Sequence, residues 1–424
     1  MAKICLLTPT QPSINPRIVK EADALAEAGH QVHVLCGHTV QWADESDTSL
    51  LRNRRWTCAY VGGNRGSARR WWSRARHGLI RRFPQTWKLN RYLAKGALAR
   101  ITPELQAAAF HFQADLYIAH YVGALVAAGE VARTTGALLA FDSEDFESGY
   151  FRYNAGPGPI DRLTEQVEWE YLPQCCYITA ASPGIAAAHA SKYGLRHPTS
   201  ILNVFPVANR PLQFRETSSA GPLKLYWFSQ TIGADRGLED VVRAMAISRD
   251  CDMQLCLRGT CAAGYQAQLE ALARENGLAP DKLKLCPPAL AEHMVSISSE
   301  YDVGLALEQP ASLNRDLCLT NKIFSYLLAG NAVAATSTSA QEAIVKTLGP
   351  AGFVYRPGDY EGLARGLRVW HDNRAELQRA RREAWWFGSN RFNWDLEKKK
   401  LLDLVDSVLM KQETGSVARS SAIA

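Results

Sequence analysis

YDVGLALEQPASLNRDLCLTNKIFSYLLAGNAVAATSTSAQ, residues 301–341, is the stretch whose reading decides the fold of this 424-residue chain. Residues 303–307 form an apolar run of strand length, and residues 332–335 form a second. Between them Thr320 has the chemistry of a helix N-cap before Asn321 and Lys322, and Gly330 closes the helix. Strand, loop, helix and strand in this order make a unit of a parallel sheet, with the helix N-terminus at the carboxyl edge. The backbone N–H groups of residues 321–324 then point out of that edge, where the helix dipole favours a phosphate. Lys322 adds a mobile positive charge there, so a ligand is expected at this mouth. A unit that merely packs its apolar face is the alternative.

Outward from this stretch, strand and helix patterns alternate over most of the chain, which argues for α/β layers with mostly parallel sheets. Strand runs are expected at 4–8, 32–36, 116–119, 137–141, 177–180 and 200–203, with helices including 17–28 and 183–193. They make one Rossmann-like domain over residues 1–212. The polar stretch 215–221, RETSSAG, reads as a linker. A second series follows, with strands at 223–228, 254–257, 282–286, 303–307, 332–335 and 353–355 and helices between them, giving a second Rossmann-like domain over 213–387. Helices from 374 to 410 carry Trp385, Trp386, Phe387, Phe392 and Trp394, enough aromatic surface for a docking element. From 412 to 424 no periodicity remains, and a disordered tail is expected.

With 47% hydrophobic and 21% charged residues the composition is that of an ordinary globular protein, and no apolar run is long enough to span a bilayer. The start MAKICLLTPT reads as a core strand, not a signal peptide, so a cytoplasmic protein is expected. Its ten cysteines then read as reduced thiols; none form a CxxC pair, and Cys251, Cys256 and Cys261 lack a zinc-site geometry, so no metal is expected. Neither first strand leads into GxGxxG, which disfavours a nicotinamide or flavin enzyme.

Other polar positions fall at expected strand ends. Residues 230–235 leave a strand before Arg236-Gly237, where a solvated loop arginine is the alternative to a ligand contact, and Arg258 follows the strand 254–257, where an arginine is as often structural. His120 ends the run DLYIAH, a position that faces the ligand crevice of an open sheet; a histidine hydrogen-bonded in the domain edge is the alternative. Asp142, Glu144 and Asp145 follow the next strand, and three carboxylates in four residues suit the binding of hydroxyl groups; a solvated acidic turn is the alternative. Arg17 opens the first helix, in reach of the same edge. From 52 to 100 there are 14 Lys and Arg and no Asp or Glu, interleaved with Trp56, Trp71, Trp72 and Trp87, in a chain whose net charge is only +6. Cations mixed with indoles suit an anionic membrane surface, such as the inner face of a membrane. A soluble acidic partner and a solvated basic face are the alternatives, and no nucleic-acid-binding motif accompanies the patch.

Thr320, Asn321, Lys322, Ile323, Phe324, Tyr326, Ala329 and Gly330 resemble the donor-site motif of family 4-like retaining glycosyltransferases. That resemblance implies the GT-B architecture: two Rossmann-like domains facing a central cleft, with C-terminal helices, about 388–411, crossing back to the first domain. Phe392, Asn393 and Trp394 are similar to the turn the family carries there. It also implies transfer of a sugar from a nucleotide sugar to a glycan or lipid-linked glycan, with retention and no cofactor. Arg236 and Gly237 resemble the family's lysine-glycine pair that holds the donor diphosphate, and a guanidinium fork suits phosphate. Arg236, Lys322 and His120 would then carry the chemistry. Gln230, Thr231, Gly237, Arg258, Glu308, Asp316, Thr320, Asn321 and Ser325 would line the donor site, and Arg17, Asp142, Glu144 and Asp145 the acceptor site. Two departures stand out: Ser325 replaces the glutamate that holds the ribose, and Leu317 replaces the first glutamate of the pair. Asp316 and Glu308 are the nearest substitutes. A nucleotide-sugar epimerase on the same scaffold, or a catalytically degenerate partner protein, are the rival readings.

Overall fold

The computed structural model describes residues 1–88, 94–218 and 220–421. Its contacts divide the chain into two units, one of Met1–Ile201 with 312–314 and the chain from Lys398 on, the other of Leu202–Ala311 and Arg315–Glu397. The division falls earlier than the expected 212, because residues after Ile201 bond into the second unit: Phe205 O accepts the Trp394 N–H at 2.9 Å, and Asp395 accepts the Val207 N–H at 2.8 Å.

The first unit holds β1 (Lys3–Leu7), β2 (Gln31–Gly37), β3 (Thr57–Val61), β4 (Leu116–His120), β5 (Leu138–Ser143), β6 (Tyr177–Ala180) and β7 (Thr199–Ser200). They lie in the order β3-β2-β1-β4-β5-β6-β7, and every pair is parallel. The second unit holds β8 (Leu223–Ile232), β9 (Met253–Cys261), β10 (Leu283–Cys286), β11 (Val303–Ala306), β12 (Ala332–Thr336) and β13 (Gly352–Tyr355). Their order is β10-β9-β8-β11-β12-β13, again parallel. Continuous apolar strands such as Ile4–Leu7 and Val303–Ala306 are buried along their length, as a sheet covered on both faces requires. In each sheet the strand order reverses once, between β1 and β4 and between β8 and β11. The carboxyl ends beside such a switch are where open α/β sheets bind ligands.

Several elements differ from expectation at their ends, and the differences decide the site. β5 runs on through Asp142 and Ser143, which the sequence read as loop; Asp142 sits in register between His120 of β4 and Thr179 of β6. β8 and β9 continue past Phe228 and Leu257 to pair Thr231 with Thr260, with a bulge between Phe228 and Thr231. Residues 52–100 contain β3 and the helix Ala68–Arg82, which local periodicity did not reveal, while 89–93 of that stretch lie outside the described residues. The last helix, Trp394–Ser421, passes the expected break at 412, since adding turns to a packed helix needs no new nucleus; 422–424 of the expected tail lie outside the described residues.

Candidate functional site

The switch point of the second sheet collects an excess of positive charge. Gly237, at φ +71, starts the helix Leu238–Ile247 and lies so close to the chain after β11 that a Cβ there would stand 2.5 Å from Gln309 Nε2 and 3.0 Å from Leu307 O. Only glycine lets the two loops meet this closely. Glu308 lies at that junction and is buried. Its carboxylate accepts Lys322 Nζ at 2.6 Å and Arg315 Nη1 at 3.1 Å. Burial alone would push the Glu308 carboxyl up, but Lys322, then Arg315 and Arg236, hold it below the ordinary range. Arg236 acts on it only through its field, and its guanidinium makes no hydrogen bond among the described residues. Three cations therefore surround one carboxylate. The Glu308 backbone is fixed in turn: its carbonyl accepts Thr336 Oγ1 at 2.5 Å, and Gln341 Nε2 donates to the same hydroxyl at 2.8 Å.

Lys322 is not the mobile charge the sequence suggested. It is buried, with Nζ 5.9 Å from the centre of the Trp227 ring. The helix Asn321–Ala329 begins where expected, with Thr320 in extended backbone at its N-cap and Gly330 at φ +77 closing it. Thr320 does not cap it through its side chain; Oγ1 is buried with no hydrogen-bond partner among the described residues.

The other expected donor residues divide between exposed, structurally bonded and buried positions. Gln230 and Thr231 are exposed on the extension of β8 rather than in a loop. Arg258 is on β9 and is held structurally, donating to Tyr226 Oη at 3.1 Å and to Pro287 O at 2.7 Å. Asp316 accepts from the backbone and hydroxyl of Ser339 at 2.8 and 2.5 Å, so it ties two loops together. Ser325 is fully buried, with its hydroxyl 3.4 Å from that of Ser298, and a glutamate there would have to displace this packing. Arg315 and Trp227 were missed, although Arg315 adjoins Asp316 and Trp227 lies within the buried run of β8.

At the switch point of the first sheet, Arg17, Glu21, His120 and Asp142 form a closed cluster, each at most 1% exposed. Arg17 donates to both Asp142 oxygens at 2.6 Å through Nε and Nη2, and to Ile201 O at 2.6 Å through Nη1. His120 lies 3.1 Å from Glu21 Oε2 and 3.3 Å from Asp142 Oδ2, within ion-pair reach although out of line for hydrogen bonds. Thr179 Oγ1 donates to Asp142 Oδ1 at 2.5 Å. Burial would pull the His120 ring down, but Glu21 and Asp142 outweigh it and raise it to about 10; burial opposes ionisation of Asp142, which Arg17 overcomes, holding it far below the usual range. Arg17, His120 and Asp142, expected to meet reactants, are thus turned inward and partner one another. Glu21, one helical turn after Arg17, was missed despite that spacing. Glu21, His120 and Asp142 also have metal-ligand spacing, but Arg17 already supplies their cation.

Glu144 and Asp145 remain at the rim. Tyr121, which follows His120 at φ +70 and ψ 149, a conformation costly for any residue but glycine, donates its hydroxyl to Glu144 Oε2 at 3.2 Å. Burial, then Asp145, pushes the Glu144 carboxyl up to about 7. Asp145 accepts the Tyr150 hydroxyl at 2.6 Å and Asn314 Nδ2 at 3.0 Å. Glu147 accepts the Val122 N–H at 2.7 Å, and burial pushes it up to about 8. Tyr121 and Glu147 had no local signal in the sequence.

No family model matches the chain, and no curated protein matches it. Among solved structures it is similar to HepE of Anabaena in complex with UDP, at 15% identity over 96% of this chain and 100% of that one, with a TM-score of 0.68. It is similar to sucrose-phosphate synthase of Thermosynechococcus elongatus, at 14% identity over 97% and 100% of the two chains, with a TM-score of 0.71. A UDP-N-acetylglucosamine 2-epimerase structure from Listeria monocytogenes follows at 10% identity over 96% and 97%, with a TM-score of 0.57. At these identities the likeness shows the fold, the two-domain GT-B architecture that glycosyltransferases use.

Proposed function

We propose that this chain is a glycosyltransferase that moves a sugar from a nucleotide-diphosphate sugar to a glycan or lipid-linked glycan, with retention of configuration, in the building of cell-surface polysaccharide or glycolipid. The donor belongs to the second unit and the acceptor to the first, and the enzyme works at an anionic membrane surface through residues 52–100. The observation that carries this reading is the set of three cations, Lys322, Arg315 and Arg236, around the single carboxylate of Glu308 at the switch point of the second sheet. A diphosphate is the group that matches such an excess. As the sugar leaves, negative charge grows on the diphosphate, and cations already in place stabilise it without reorganising. The departing phosphate can take the acceptor proton on the same face, so no side-chain nucleophile is required. In this reading Glu144 and Asp145 accept from acceptor hydroxyls, and Tyr121 and Tyr150, which donate to them, orient them.

The likeness to an epimerase structure supports a second reading, conversion of the nucleotide sugar itself. Product analysis separates the two. The transferase reading expects nucleoside diphosphate to be released in step with a glycosylated product when acceptor is present. Conversion of donor alone into an epimer would overturn it.

A further inference from the structure

The helix Ala68–Arg82 divides its side chains sharply between two faces. Ser67 caps it, accepting the Arg70 N–H at 3.2 Å. One face docks on the first unit. Arg70 donates to His38 O at 2.9 Å, Arg76 pairs with Glu104 at 2.8 Å, Ser73 accepts from Arg100 at 2.6 Å, and Ile80 packs against Ala94, Ala97 and Leu163. At 3.6 residues per turn the opposite face carries Trp71, Trp72, Ala75 and Leu79. Trp71 is 70% exposed, Trp72 63% and Leu79 62%. Arg74 and Arg81 flank this stripe on one side, Arg69 flanks it on the other, and Arg82 stands at its end; all four are exposed and make no ion pair among the described residues. Two indoles and a leucine held in water cost free energy, and a monomeric surface rarely keeps such a stripe without use.

We propose that this outward face lies in the headgroup layer of an anionic lipid bilayer, with Trp71, Trp72 and Leu79 entering the acyl boundary and Arg69, Arg74, Arg81 and Arg82 pairing with lipid phosphates. Charge complementarity selects this occupant: Arg69, Arg74, Arg81 and Arg82 stand exposed beside the apolar stripe with no carboxylate paired to them among the described residues. Indoles beside arginines suit the interface, where the ring meets both hydrocarbon and headgroups, more than they suit a soluble polyanion, which offers no apolar phase. The helix lies on the membrane and does not cross it, since no helix among the described residues is long and apolar enough to span. Of the arginines on this helix, Arg70 and Arg76 serve the docked face and take no part in lipid contact. The inference deepens the membrane element of the proposed function and does not depend on the donor site.

The test is co-sedimentation of the full chain with phosphatidylcholine vesicles, with and without phosphatidylglycerol, with UDP binding measured on the same samples. Wild-type protein should bind the anionic vesicles, release as salt rises, and shift its tryptophan fluorescence on binding. R69E/R74E/R81E/R82E should lose about fivefold in partitioning per arginine. W71A/W72A should bind weakly at every salt concentration while its circular dichroism matches wild type. Wild-type protein that ignores anionic vesicles at low salt, binds neutral vesicles equally, prefers soluble heparin, or binds undiminished in both variants would overturn the inference. Loss of UDP binding with vesicle binding intact would count against the donor-site reading alone.

Discussion

Both sheets place charged side chains beside the strand-order switch at their carboxyl edges, yet the two edges differ in how the charge is balanced. In the first unit, Arg17 and a protonated His120 face Glu21 and Asp142, two against two, all buried. In the second, Lys322, Arg315 and Arg236 all act on Glu308. A neutralised cluster has spent its charge on holding the strands and helix of its own unit. An unbalanced one keeps a field for a ligand. Position at the edge of an open sheet therefore does not by itself make a residue functional; the local charge sum separates the two cases.

Breaking the balanced cluster should give the largest effect on stability. Asp142→Ala leaves Arg17 without its bidentate partner in a buried site and should cost about 3–5 kcal/mol, read from urea unfolding. A loss under 1 kcal/mol, the usual range for an exposed pair, would show that the cluster is solvated. In the unbalanced cluster, Arg236→Ala should leave unfolding nearly unchanged and weaken nucleoside-diphosphate binding by about 1.5–3 kcal/mol, the loss of one charge-assisted contact. Unaltered calorimetric affinity would remove Arg236 from the site.

The comparison also carries a pH signature. His120 is raised from 6.5 to about 10 when folded, so its contribution to stability is complete below pH 6.5 and drains away as pH rises toward 10. The slope for one proton reaches at most about 1.4 kcal/mol per pH unit. His120→Gln should flatten unfolding midpoints across that window, and an equally steep decline in the variant would assign it to other groups. The smallest effect is expected from Glu308→Gln. Removing the Glu308 carboxylate from the second cluster frees Lys322 and should tighten diphosphate binding by up to about 1 kcal/mol, near the net worth of one hydrogen bond. Weaker binding would mean that Glu308 serves by fixing Lys322 in place.

The alternation of apolar runs with capped helices made the two parallel sheets legible, and Gly330 marked the end of the helix Asn321–Ala329 because a positive φ there calls for glycine. Strand ends were harder to read. Asp142 and Arg258 looked like loop residues because polar side chains seldom continue a buried strand, yet each is satisfied by partners from neighbouring elements. Arg17 and Asp142 are 125 positions apart, and no local pattern announces their pairing. Arg315 escaped notice for the same reason: its role depends on where Glu308 lies once β11 is in the sheet.

The central claim is that the second unit's cation excess is a diphosphate site. Calorimetric titration of UDP and UMP into the wild-type chain and into Lys322→Ala tests it most directly. The account predicts that UDP binds wild type more tightly than UMP, and that Lys322→Ala removes most of that preference while the unfolding curve shows a folded protein. Equal affinity for UDP and UMP in the wild type, or a preference that survives in the folded variant, would contradict it.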